Sequence, residues 1–134
     1  MAKISDIEGI GPAYAAKLET AGIKTVEKLL VVAGGKKGRQ TLAESTGIDE
    51  SRILSWVNMA ALFRINGVGP QFAELLHAAG VDTIKELRTR NAANLHAKIV
   101  EVNTAKNLAN AVPALSRIEK FIEEAKGMEP AVTH

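Results

Sequence analysis

The chain has 134 residues, enough for one compact domain or two small ones sharing a core. Apolar residues make up 46%, which argues against wholesale disorder, and a formal net charge of +2 is a small basic excess for a dedicated nucleic-acid binder. The absence of cysteine excludes disulfides and thiolate zinc sites. The first residues, MAKISDIEGIG, carry no apolar signal segment, and the longest aliphatic run, 29–33, falls far short of the ~20 residues that span a bilayer. These features lead us to expect a cytoplasmic chain with no membrane partner.

Taken in order, the local signals are helical. Ser5 and Glu8 have the spacing of a capping box before a very short first helix. Gly9 and Gly11 bracket a tight turn, and Pro12 suits the first position of the next helix, where its missing N–H costs nothing. That helix turns Ala15 and Leu18 inward and should stop at Gly22. Thr25 caps a helix through about Ala33, and Gly34-Gly35 breaks the chain. A further helix covers 37–45 and stops at Gly47. Asp49 then caps one whose buried face is Ile53, Trp56, Val57 and Ala60, and which should run on to about Arg64.

From residue 65 the chain repeats itself. Residues 65–87 match 7–29 at ten of 23 positions without a gap, including Gly9/Gly67, Gly11/Gly69, Pro12/Pro70, Leu18/Leu76, Gly22/Gly80, Thr25/Thr83 and Leu29/Leu87. Thr83 and Glu86 make a capping box. Helices are expected over 92–102, capped at Asn91 or Asn94, and over 105–112, ending at Pro113. A last helix, capped by Ser116 with Glu119, shows Ile118, Phe121, Ile122 and Ala125 at the spacing of Ile53, Trp56, Val57 and Ala60, displaced by seven further residues. The chain therefore reads as all-α, with no strand. Two tandem repeats, 1–64 and 65–127, pack into one compact helical unit, followed by a flexible tail over 128–134.

Both copies carry the pattern hydrophobic-x-Gly-hydrophobic-Gly-Pro-x-aromatic-Ala-x-x-Leu, which resembles the helix-hairpin-helix motif. The first glycine supplies a turn, the residue after it (Ile10, Val68) locks two helices together, and the second helix presents free N–H groups at its positive end. In the helix-hairpin-helix family such amides hold a DNA phosphate without reading bases. That resemblance implies donors at Gly9, Gly11 and Ala13, and at Gly67, Gly69 and Gln71, with Lys17 the nearest cation in the first copy. The cation that DNA-binding hairpins place just after the second glycine is absent, since Pro12-Ala13-Tyr14 and Pro70-Gln71-Phe72 stand there. Over nearly its whole length the chain, including RNAANLHAKIVEVN at 90–103, also resembles a bacterial family of uncharacterised proteins built from two such repeats.

Two basic segments follow the repeated stretches. GGKKGRQT at 34–41 offers Lys36, Lys37 and Arg39, either to a phosphate or to solvent in a plain surface loop. RTRNAAN at 88–94 offers Arg88 and Arg90 at the equivalent place. His77, His96 and His134 lack ligand spacing, no nucleophile–base set is visible, and no cofactor or metal is implied. The favoured reading is a non-enzymatic module that binds DNA without sequence specificity. The alternative is a protein-interaction or scaffold module in which the hairpins serve packing alone. The sequence leaves the oligomeric state open.

Overall fold

The computed structural model describes residues 2–133. It is all-α: among these residues stand eight α-helices and one 3-10 turn, and extended pairing is confined to an isolated bridge between Lys3 and Thr25. Contacts divide the chain into two compact units. One comprises the residues up to Ala61 together with those from Pro130 on, and the other is Leu62–Glu129.

In the first unit the 3-10 turn Ile4–Asp6 leads to α1 (Pro12–Thr20), α2 (Val26–Ala33), α3 (Lys36–Thr46) and α4 (Glu50–Leu62). Its core is aliphatic, with Ile4, Ile7, Leu18, Ile23, Leu29 and Ile53 all sealed from solvent. The 3-10 turn is closed by Asp6, whose carboxylate accepts the Lys3 N–H at 3.0 Å. Ser5 and Glu8 are exposed and make no such box, because the turn begins two residues before the position their spacing requires.

In the second unit α5 (Pro70–Ala78), α6 (Ile84–Arg88) and α7 (Ala92–Lys106) precede α8 (Leu115–Lys126). The last helix packs on both α6 and α7, and α5 packs on α7. Leu75, Leu76, Val81, Leu87, Leu95, Ile99 and Ile118 are fully buried.

The same backbone devices recur in each unit. Gly9 has φ +94° and Gly67 φ +88°, a region that side chains rarely enter. With the chain reversed there, the next residue folds inward: Ile10 and Val68 are buried, and their N–H groups donate to Ile7 (3.1 Å) and Ile65 (3.0 Å). The helices that follow both end in a Schellman motif. The Ile23 N–H donates to the Leu18 carbonyl and Gly22 to Glu19; in the second unit Val81 donates to Leu76 and Gly80 to His77. Thr25 and Thr83 then cap α2 and α6, accepting from Lys28 (3.1 Å) and Glu86 (3.0 Å).

Several boundaries differ from the sequence expectation, and the choice of cap for α7 is decided. Helix α4 stops at Leu62 instead of reaching Arg64, and residues 63–67 turn the chain toward Gly67. The two helices expected over 92–102 and 105–112 are one helix, α7, and no helix covers 107–112. Asn107 takes the left-handed conformation (φ 50°, ψ 53°), and the Asn103 amide both donates to and accepts from the Ala109 backbone, pinning the loop that results. Asn91, not Asn94, caps α7. Helix α8 starts at Leu115 with Ala114 at its N-cap, so Ser116 lies inside the helix and caps nothing.

The two glycines of each turn are thus unlike. Gly9 and Gly67 need their conformation, whereas Gly11 (φ −80°, ψ 179°) and Gly69 (φ −99°, ψ −168°) are extended, with nothing within 4 Å of where a side chain would begin. Gly67→Ala should therefore lose about 1–2 kcal/mol of stability from the positive φ. Gly69→Ser should match or exceed the parent by a few tenths of a kcal/mol, since serine is the better N-cap. Urea denaturation of the two variants checks the contrast.

Candidate functional site

Each turn leaves a row of backbone donors facing out. The N–H groups of Gly9, Gly11 and Ala13, and of Gly67, Gly69 and Gln71, have no hydrogen-bond partner among the described residues. Gly11 and Gly69 are the N-caps of α1 and α5 and provide no side-chain cap, so the positive ends of both helices stay open. Pro12 and Pro70 occupy the first helical position, where no donor is lost. Ala13, Gln71 and Lys17 are exposed.

Each unit carries an aromatic pair, one ring from the start of the helix after the turn and one from the last helix of the unit. Tyr14 and Trp56 meet edge to face with centroids 5.1 Å apart, and Phe72 and Phe121 lie tilted at 6.3 Å. Trp56 also backs the turn directly, its Nε1 being 3.4 Å from the place a Cβ would take on Gly9. Trp56 therefore packs against the first turn, and both Trp56 and Phe121 are buried.

Beside each pair stands an arginine that the motif does not contain. Arg52, on α4 one turn before Trp56, holds its guanidinium carbon 5.3 Å from the Tyr14 ring centroid. Arg117, on α8 one turn before Phe121, comes so close to the second turn that its Nη2 would lie 2.7 Å from a Cβ on Gly67. Both arginines are exposed, and neither forms an ion pair among the described residues. The signal that finds them is the tripeptide Ser-Arg-Ile, present at 51–53 and again at 116–118.

The copies differ in charge. Asn66 N–H, one residue before Gly67, donates to Glu124 Oε2 at 2.7 Å, so the second turn already holds a carboxylate at its near end. Asn66, Gly67, Arg117, Lys120, Phe121 and Glu124 together line an open cleft of about 450 Å³. Met59 takes the place of Glu124 in the first copy, where the exposed Glu8 directly precedes Gly9 in the chain.

The basic segments are not two equivalent loops. Lys36 and Lys37 lie in the first turn of α3, exposed, because Gly35 starts that helix a residue earlier than expected. Arg39, the third residue of that set, is only 2% exposed. Its Nη1 donates to the carbonyls of Ala33 (3.1 Å) and Gly34 (2.8 Å), and its Nη2 to that of Thr133. Thr133 N–H returns a bond to Gly34 at 2.9 Å, so residues 130–133 are held against the first unit. Arg39 is a clamp on the backbone and cannot also reach a phosphate. Arg88 ends α6, half-buried, with its Nε enclosed and without a partner. Arg90, also half-buried, puts Nη1 3.9 Å from the Cβ position of Gly80, at the end of α5.

Among the described residues no group of three histidine or acidic side chains is placed to hold a metal. His77 pairs with Asp82 at 2.6 Å on the surface, bridging the end of α5 to the start of the next segment. His134 lies outside the described residues.

Residues 8–128 match the family described as Domain of unknown function (DUF4332), and the chain belongs to that family. No curated protein and no solved structure matches it.

Arg39→Ala should lower stability by about 2–3 kcal/mol, the size of a lost charged hydrogen-bond set. Arg39→Lys should recover less than half, because one ammonium cannot reproduce the planar fork. Equilibrium unfolding of the two variants gives both numbers.

Proposed function

We propose that this member of the family binds nucleic acid without reading its sequence, each glycine turn acting as a helix-hairpin-helix whose amides hold one backbone phosphate. The observation that carries the reading is the second glycine of each turn. Nothing inside the protein requires glycine at 11 or 69: the backbone is extended, the space beside it is empty, and serine or aspartate would cap the helix better. What glycine uniquely leaves there is an open approach to unpaired N–H groups, the property a backbone needs where a ligand comes close.

The choice of caps supports the same reading. Thr25, Thr83 and Asn91 close the starts of α2, α6 and α7 with side-chain oxygens, whereas Gly11, Gly35 and Gly69 leave those of α1, α3 and α5 open. Lys36 and Lys37 sit at the positive end of α3, where cations oppose the helix dipole and an anion would relieve both. The module needs no catalytic residue for this role. Binding would rest on phosphates, so it would weaken steeply as salt rises. One observation favours the alternative, a protein partner: Val31 on α2 is 80% exposed, a large apolar side chain left in solvent.

The test uses a substitution that mends the helix while filling the approach. In the double variant Gly11→Ser, Gly69→Ser the new hydroxyls would accept the N–H of Ala13 or Tyr14, and of Gln71 or Phe72. Thermal stability should hold or rise, while affinity for a fluorescent DNA duplex at about 50 mM salt should fall tenfold or more. A parent chain that ignores both duplex and single-stranded DNA at micromolar concentration and low salt would sink the reading in favour of a protein partner.

A further inference from the structure

We infer that Arg52 and Arg117 are the cations of the two turns, each contacting the phosphodiester whose other oxygens the hairpin amides hold; this rests on the nucleic-acid reading above. The hairpins lack a basic residue after the second glycine, and Lys17, the nearest cation of the first motif, lies in the last turn of α1 and has Leu75 as its counterpart in the second copy. The fold supplies one from elsewhere. In both units the residue one helical turn before the aromatic of the last helix is an arginine, and in both that aromatic packs on the ring at the start of the helix that follows the turn. The arginine is therefore carried to the same part of each site by the same helix face.

Three features separate these arginines from ordinary surface charges. First, both side chains reach the hairpin of their own unit, Arg52 over the Tyr14 ring and Arg117 against Gly67. Second, neither is neutralised by an ion pair among the described residues, although Arg117 has Glu124 lining the same cleft and that carboxylate is engaged instead by Asn66 N–H. Third, the position is arginine in both copies while its surroundings diverge: Ser55 and Met59 in the first unit stand where Lys120 and Glu124 stand in the second. Guanidinium offers a planar fork of donors, which matches two oxygens of one phosphate, and for Arg52 the Tyr14 ring is a platform that limits the freedom lost on binding. The ligand class is the phosphate backbone of a nucleic acid, gripped once per unit.

The experiment measures affinity for a fluorescent DNA duplex across a salt series. It compares the parent chain with Arg52→Gln/Arg117→Gln, with Arg52→Lys/Arg117→Lys, and with the charge-matched control Lys28→Gln/Lys106→Gln. Circular dichroism and a melting curve on each confirm folding. We expect the glutamine pair to lose roughly tenfold in affinity per arginine and to lower the slope of log Kd against log salt by about two. The lysine pair should restore the slope with part of the affinity, and the control should keep the parent's slope to within about one. If the parent binds and the glutamine pair keeps its slope, the arginines are structural and the inference falls while the nucleic-acid reading stands. If the control loses as much as the arginine pair, net charge alone is at work and the inference falls again. A parent chain that does not bind at low salt overturns both.

Discussion

Everything in either unit follows from one reversal of the backbone. At Gly9 and Gly67 the chain enters a region that a side chain would make costly, and it does so one residue before a buried aliphatic. That geometry sends Ile10 and Val68 inward and brings Pro12 and Pro70 to the start of a helix in the conformation their rings prefer. The same reversal clears space against the turn for Trp56 in one unit and Arg117 in the other. The hydrophobic core is then a consequence as much as a cause, because the turn decides which faces of α1 and α5 meet it.

The turn is completed by residues far from it in the chain. Trp56 from the last helix of the first unit backs one turn, Arg117 from the last helix of the second reaches the other, and Arg52 lies over the Tyr14 ring that follows the first. The two versions share this plan but differ in polarity. Trp56 presents an indole N–H near the first turn, whereas Phe121, its counterpart in the second unit, has no polar atom to offer. The second turn has a carboxylate in its place, tied to Asn66. Two anion sites built on one plan would thus differ in strength, the first having no glutamate on its amides.

Local rules made the glycine turns, the Schellman stops and the threonine caps legible in the sequence, since each is decided within about six residues. Arg39 was illegible for the opposite reason: its burial depends on Thr133, 94 residues away, and a basic segment beside glycines gives no hint of that. The loop after α7 turns on Asn107 adopting a left-handed conformation and on the Asn103 side chain substituting for backbone bonds, choices that composition does not announce. Arg52 and Arg117 were visible as a repeated Ser-Arg-Ile, but the seven residues inserted before the second copy put them out of register with the hairpins. Only the packing of the last helix shows that Arg52 lies over Tyr14 and Arg117 against Gly67.

The clamp at Arg39 also sets an order of events. The first unit contains residues from both sides of the second, so its own parts are not synthesised together. Domains emerging from a ribosome ordinarily fold in sequence, each complete before the next begins. Here the buried guanidinium must wait, with the Ala33 and Gly34 carbonyls alone, until the whole of Leu62–Glu129 has been made and Thr133 arrives. The unit translated first is therefore closed only after the second, and the closing of these hydrogen bonds reports that the whole of Leu62–Glu129 has been made.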